Sequence, residues 1–435
     1  MSILFFFSLL IAEERKVSTK KERFNNTQVL ITQAKKKNNG DLIFLAHGFA
    51  GSTSFMKPIA YSLANSGHIV VRFDFLGHGK SDLKFYGDIT NKNGPSNQFI
   101  NQLQIVIDKY KTKFKKNKVI LIGHSMATDI IIRTAKVRND VKSVIGVSTY
   151  TSADLDEDFT NILVLNGQWE TGLIKKTKEL FKEFGIKSPQ ENKLYKGVAD
   201  ESLRKMTTIP FTGHIGILYS QTTQKEINYW IMQLNNNLIT NEANRIGVYV
   251  LFLFICLFVF FILMVNLLPK KVKKPYKINL KSLFYINIAS LFGIPLILAV
   301  GTIKVTDFSV HNYIFSHLFL FNMLIFFFKP VKSIDNLGKE FDLRVIFFLM
   351  IYFIGFFGYL LDSYVSSYFL TFDRITIFLA LLIACVPFCV FTQMLYGSIN
   401  NGWIAANILK INLIFSFVIS LFMNFKENFL IAYAI

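Results

Sequence analysis

The chain has 435 residues, 51% of them hydrophobic, and a formal net charge of +19 from 48 basic and 29 acidic side chains. That length allows two or three domains, and so high an apolar share excludes a protein that is soluble in water along its whole length. The charge alone would admit a nucleic-acid binder, but the basic residues form no single stretch interleaved with aromatics, so no nucleic-acid partner is expected.

The first twelve residues are apolar but too short to cross a bilayer: about ten residues at about 1.5 Å each reach about 15 Å, half of a hydrocarbon core. With no basic start and no small-residue cleavage site, the stretch reads as an interfacial stub or the remnant of a signal anchor. From residue 25 onward, short Ile/Val/Leu runs alternate with amphipathic stretches. The runs at 29–33, 42–46, 69–73, 119–122, 143–147, 162–165 and 206–210 predict strands, and 55–65, 96–114, 126–137, 173–184 and 224–234 predict helices. Near-continuous apolar strands separated by such helices predict an α/β domain with a parallel sheet covered on both faces.

At residue 246 the pattern changes. An apolar run of about 23 residues begins there, long enough to span a membrane. Further runs at 282–302, 310–328, 345–361, 375–394 and 404–424 give about six transmembrane helices in all. Lys270, Lys271, Lys273, Lys274, Lys277 and Lys281 crowd the loop after the first span, and Lys329, Lys332, Lys339 and Arg344 that after the third. Positive loops stay cytoplasmic, so the domain before residue 246 is expected on the non-cytoplasmic side. The expected organisation is therefore a short N-terminal segment (1–24), an α/β domain (25–240), a helical transmembrane domain (246–424) and a tail (425–435). Cys256, Cys385 and Cys389 all lie in apolar runs, which implies no disulfide framework.

The sharpest motif is Gly123-His124-Ser125-Met126-Ala127, between an apolar strand and an amphipathic helix. This strand–turn–helix context is that of a nucleophile elbow, which lifts the Ser125 hydroxyl above the sheet and points the Met126 N–H at a developing oxyanion. Ala127 and Thr128 stand where two small residues are usual. Upstream, His47-Gly48-Phe49 follows a strand and offers a second oxyanion donor, the Phe49 N–H. Asp74-Phe-Leu-Gly-His78-Gly-Lys-Ser81 follows another.

These three blocks, in this order, resemble the α/β-hydrolase superfamily over roughly residues 25–236. The leaning is toward its serine aminopeptidase and monoacylglycerol-lipase-like branch, whose elbow usually reads Gly-His-Ser-Met-Gly-Gly. The resemblance implies an order of serine, acid, histidine. It implies Glu170 as the acid, after Gly167-Gln-Trp, with Asp154 and Asp156 as rivals, and His214 as the base. His47, Gly48 and His124 are then expected around the substrate, and His78 in a structural role. Only residues 149–161 separate two strands where relatives insert a cap, so the sheet domain is expected to lack one and its site to be open or covered by the bilayer or the span loops.

These readings predict a membrane-bound serine hydrolase in a cell membrane of bacterial type, cleaving acyl esters of an amphiphilic substrate with the lipid bilayer as its other partner. A peptidase of the same superfamily and a catalytically idle hydrolase fold serving the membrane half remain open alternatives. No Walker loop, zinc motif or dinucleotide fingerprint occurs, and neither cofactor nor metal is expected.

Overall fold

In a computed structural model, residues 1–35, 39–84, 94–156, 158–197, 202–235, 243–268, 277–306, 309–331, 343–365, 369, 372–398 and 401–423 are described. The tail from 425 and most of the lysines in the first and third span loops lie outside them. The chain forms two compact units. One comprises Met1–Asn266 with Ile351–Phe369, the other Leu267–Met350 with Leu370–Ile435. The first membrane helix thus belongs with the sheet domain, and so does the end of the fourth span.

Among the described residues, nine strands form one sheet: β1 (Val17–Phe24), β2 (Thr27–Ala34), β3 (Leu42–Ala46), β4 (Ile69–Phe73), β5 (Val119–His124), β6 (Val141–Val147), β7 (Asn161–Gly167), β8 (Leu194–Lys196) and β9 (Leu203–Ile209). Their order is β1-β2-β4-β3-β5-β6-β7-β9-β8. The six from β4 to β9 are parallel, while β1, β2 and β8 run antiparallel at the two edges. Every residue of β3, β4 and β5 is buried, because helices cover both faces. The sheet domain is an α/β-hydrolase fold.

Two strands go beyond the sequence expectation. β1 exposes most of its length, so it carries no apolar run, and it pairs with β2 through a two-residue turn in which Asn25 and Asn26 have φ of 46° and 58°. Paired positive φ values at Asn are those of the hairpin turn that matches strand twist. β8 is a three-residue edge strand.

The helices are α1 (Ser2–Glu14), α2 (Lys57–Asn65), α3 (Pro95–Lys113), α4 (Met126–Lys136), α5 (Thr171–Glu183), α6 (Gln221–Asn235) and α7 (Ile246–Asn266), the first span. α1 lies along α7, with Phe6 stacked on Phe252 at 5.1 Å and Leu10 fully buried.

Among the described residues, five helices are long and apolar enough to cross a membrane, the composition of an integral membrane protein: Ile246–Asn266, Leu280–Val300, His311–Phe328, Ile375–Tyr396 and Gly402–Met423. The fourth expected span is helical over Leu343–Met350, Ile351–Gly358 and Tyr359–Leu361, the middle stretch π-helical, before Asp362. In the second unit, polar side chains join three spans: Asn412 Nδ2 donates to Ser290 Oγ at 2.5 Å, and Ser416 Oγ donates to Ser290 O at 2.6 Å. His317 Nε2 reaches Ser416 Oγ at 3.2 Å. In hydrocarbon such bonds hold helices together.

Candidate active site

β5 ends at His124, and Ser125 takes φ 53° and ψ −120° before α4 begins at Met126. A non-glycine residue held there costs about 1–3 kcal/mol, so the surroundings must enforce it. Ser125 N donates to Val147 O at 2.9 Å, and Thr128 N donates to Ser125 O at 2.8 Å. The Thr128 hydroxyl, fully buried, lies 2.6 Å from both Ser125 O and Tyr150 O and accepts from Tyr150 N at 2.9 Å. The residue that departs from the usual small pair thus ties the elbow to the loop after β6. Gly123 must remain bare, since a Cβ there would lie 2.7 Å from Ala127 O.

His214 follows β9 and brings its Nε2 to 2.9 Å from Ser125 Oγ. Its Nδ1 lies 2.6 Å from Glu170 Oε1. A carboxylate only accepts, so Nδ1 carries the proton and Nε2 is left bare to accept from the Ser125 hydroxyl. Glu170 stands at the head of α5 in a turn from Gly167, whose N–H donates to Glu170 Oε2 at 2.6 Å. Ser148 Oγ donates to the same oxygen at 2.9 Å. Burial pushes the Glu170 carboxyl up, but the bonds from His214, Gly167 and Ser148 outweigh it and hold the group below the ordinary glutamate range. The extra methylene of Glu over Asp is taken up by this turn. The rival acids lie elsewhere: Asp156 pairs with Lys136 at 3.2 Å on the surface, and Asp154 offers its backbone carbonyl to the same lysine.

The loop after β3 passes directly over the elbow. A Cβ on Gly48 would lie 2.9 Å from His124 Nδ1 and 3.0 Å from Ser125 Cβ, so only glycine allows the approach. Phe49 follows, its ring edge-on to His78 at 5.5 Å. His47 Nδ1 donates to Gly48 O at 2.8 Å while its Nε2 accepts from Phe75 N at 3.0 Å. The ring is therefore a neutral peg between the loops after β3 and β4, and burial holds its pKa down at about 4. His124 Nε2 donates to His214 O at 2.8 Å, which fixes the backbone of the histidine beside Ser125. Burial, and then the neighbouring His214, hold His124 down at about 3. His78 donates from Nδ1 to Leu76 O at 2.8 Å within its own loop, while its ring packs against Phe49 and Phe99.

Three supporting groups receive no role from the motifs, although Asp74 heads one of them. Ser148 is one. Asp74 accepts from Thr53 N at 2.7 Å and Lys80 N at 2.8 Å, which pins both loops, and a Cβ on Gly79 would fall 2.3 Å from its carboxyl carbon. The third lies just after the fourth span. Ser54 Oγ donates to Asp362 O at 2.9 Å and Lys80 Nζ donates to Asp362 Oδ2 at 2.5 Å. Lys57 Nζ sits 4.2 Å from the Tyr364 ring centre. Between β6 and β7 the described residues, 148–156 and 158–160, are loop and form no cap. Among the described residues no group of three or more His, Cys, Asp or Glu is placed to hold a metal ion.

Residues 37–222 match the family described as serine aminopeptidase, S33. No curated protein matches the chain. Among solved structures, the chain is similar to a dienelactone hydrolase from Anabaena variabilis, at 14% identity and TM-score 0.39, covering 50% of this chain and 98% of that one. It is also similar to the ferulic-acid-bound Est1E from Butyrivibrio proteoclasticus, at 15% identity and TM-score 0.37, covering 50% and 100%. A soluble variant of monoglyceride lipase from Saccharomyces cerevisiae in complex with a substrate analog is similar at 13% identity and TM-score 0.37, covering 50% and 96%. The family match and the strand order carry the fold; these likenesses add nothing about substrate.

Proposed function

We propose that the α/β-hydrolase domain is a serine hydrolase that cleaves acyl esters at a membrane, through Ser125, His214 and Glu170. The single observation that supports this reading is the relay of 2.9 Å from Ser125 Oγ to His214 Nε2 and 2.6 Å from Nδ1 to Glu170 Oε1. Ser125 Oγ attacks the ester carbonyl as its proton passes to Nε2, and Glu170 stabilises the imidazolium. The Phe49 and Met126 N–H groups hold the oxyanion, each worth about 3 kcal/mol of transition-state stabilisation. The leaving alcohol takes the proton from Nε2, and an acyl-Ser125 ester remains. Water, deprotonated by His214, attacks that ester. The carboxylate departs and Ser125 regains its hydrogen.

A peptidase is the second reading, favoured only by the description of the matching family. An idle fold is disfavoured by the complete relay and by the tie through Thr128, which makes the Ala127-Thr128 departure compatible with a working elbow. A fluorophosphonate probe on the full chain in membranes tests the proposal. Wild type is expected to be labelled and Ser125→Ala to be unlabelled yet folded; labelling of both, or of neither, refutes it. Faster turnover of amides than of matching esters would replace esterase with peptidase. From the lysine-rich loops, the domain stands on the non-cytoplasmic side. A membrane-impermeant fluorophosphonate applied to intact cells checks this.

A further inference from the structure

The spans of the first unit meet the sheet domain at its catalytic edge. The relay sits past the C-terminal ends of β5, β7 and β9, and Asn244, two residues before α7, is fastened at the same edge. Its N–H donates to Gln224 Oε1 at 2.9 Å, its Nδ2 donates to Pro58 O at 2.6 Å, and its carbonyl accepts from Gln221 Nε2 at 3.1 Å. All three partners lie in the first turns of α6 and α2, the turns that follow the catalytic loops. Gly247 then passes so close to Tyr219 that a Cβ on it would lie 2.3 Å from Tyr219 O. Tyr219 closes the tight turn Gly216–Tyr219, which begins two residues after His214. Five residues at a rise of about 2 Å each put His214 about 10 Å from the start of the span. The end of the fourth span returns to the same place: Tyr219 OH donates to Tyr364 O at 2.7 Å.

A bilayer's headgroup layer adds roughly 5–8 Å to each side of its hydrocarbon core. The start of α7 marks the edge of that core, so the Ser125–His214 pair stands within about 10 Å of hydrocarbon, at the outer edge of the headgroup layer. The same edge carries a rim of uncovered apolar side chains on the segments that bear the relay. Phe211 is 82% exposed, Trp169 68% and Ile215 47%. Trp169 directly precedes Glu170 and Ile215 directly follows His214. Aromatic residues favour the interface between headgroups and hydrocarbon.

We propose that this rim is a membrane-docking surface seated in the leaflet from which α7 emerges, and that the site draws an amphiphilic acyl substrate sideways out of that leaflet. The acyl chain stays in hydrocarbon while its ester carbonyl rises to Ser125. The substrate half of this inference rests on the serine-hydrolase reading; the docking half does not.

The test uses the full chain in phospholipid vesicles. Trp230 is buried, and Trp403→Phe removes the exposed indole of the sixth span, which leaves Trp169 as the reporter. Lipids brominated near the headgroup end of the acyl chain are expected to quench its emission about twofold, as for an indole at the interface. Quenching by aqueous acrylamide with none by these lipids overturns the docking. For the substrate route, Phe211→Ser is expected to slow hydrolysis of a long-chain monoester in vesicles, relative to a water-soluble butyrate ester, by about tenfold. An equal change on both substrates overturns it. Failure of Ser125 to react with a fluorophosphonate would sink the hydrolase reading while leaving the quenching result standing.

Discussion

Glu170→Gln separates the geometry of the relay from its charge. The two carboxylate oxygens have different company. Oε1 accepts from His214 Nδ1, while Oε2 accepts from Gly167 N–H and Ser148 Oγ. A glutamine amide offers one oxygen and one NH₂ group. The Oε2 position faces two donors, so the amide oxygen belongs there and the NH₂ turns toward His214. Nδ1 must then accept, its proton moves to Nε2, and the nitrogen facing Ser125 can no longer take a proton. Turning the amide the other way sets its NH₂ against the Gly167 N–H and makes the Ser148 hydroxyl turn round to accept, which forfeits a bond of about 1–2 kcal/mol, besides the lost charge on the imidazolium. Together these predict a fall in acylation rate of about ten-thousandfold, the loss seen when a triad acid is made neutral in place. Stopped-flow measurement of the alcohol burst from a p-nitrophenyl ester reads the acylation step directly. A variant within tenfold of wild type would refute the reasoning.

Other substitutions probe the supporting structure. Thr128→Val keeps the shape of the side chain but leaves Tyr150 N–H without its acceptor, and is expected to cost about 1–3 kcal/mol in thermal unfolding. Gly79→Ala drives a methyl group into the Asp74 carboxyl from a residue at φ 50°; it should lower expression of folded protein and abolish probe labelling, since both catalytic loops hang on Asp74. His68 accepts from Asp41 N at 3.0 Å, and burial holds its pKa down at about 4 against 6.5 in the open chain, although the Asp41 charge pulls it upward. Because the folded value is the lower one, the unfolded chain takes up the proton first. Stability is therefore complete above pH 6.5 and falls as pH drops from 6.5 toward 4, by up to about 3 kcal/mol at about 1.4 kcal/mol per unit. His68→Gln should flatten the melting temperature across that window; an unchanged slope counts against it.

The central strands were legible because helices bury both their faces, which leaves unbroken apolar runs such as Leu42–Ala46. β1 was not, because an edge strand with Lys20 and Lys21 facing solvent shows no such run, and only the Asn25-Asn26 pair hinted at its turn. Ser125, Glu170 and His214, which lie within hydrogen-bond reach of one another, each follow a strand end at a turn, a local signal to which the family resemblance added the order of serine, acid and histidine. The partners that hold them carry no such signal. Ser148 meets Glu170 across 22 positions, and Asp362 meets Ser54 across 308, so their meeting depends on the finished fold. The fourth span was legible as an apolar run up to Leu361, where the helix ends, but hydropathy carries no sign of the change of helical pitch at 351–358.

The Lys57 ammonium bears on how this enzyme domain can be produced. It is only 8% exposed, and burial pushes it down to about 8 with Glu14 opposing the fall. Its contacts come from opposite ends of the chain: Glu14 at 2.7 Å and the Tyr364 ring. A recombinant fragment trimmed to residues 16–245 would keep Ser125, Glu170 and His214 yet strand this cation just beyond the loop after β3. Such a fragment should aggregate, or regain solubility when Lys57 becomes methionine, and purification in detergent of the uncut polypeptide is the better route to crystals and kinetics.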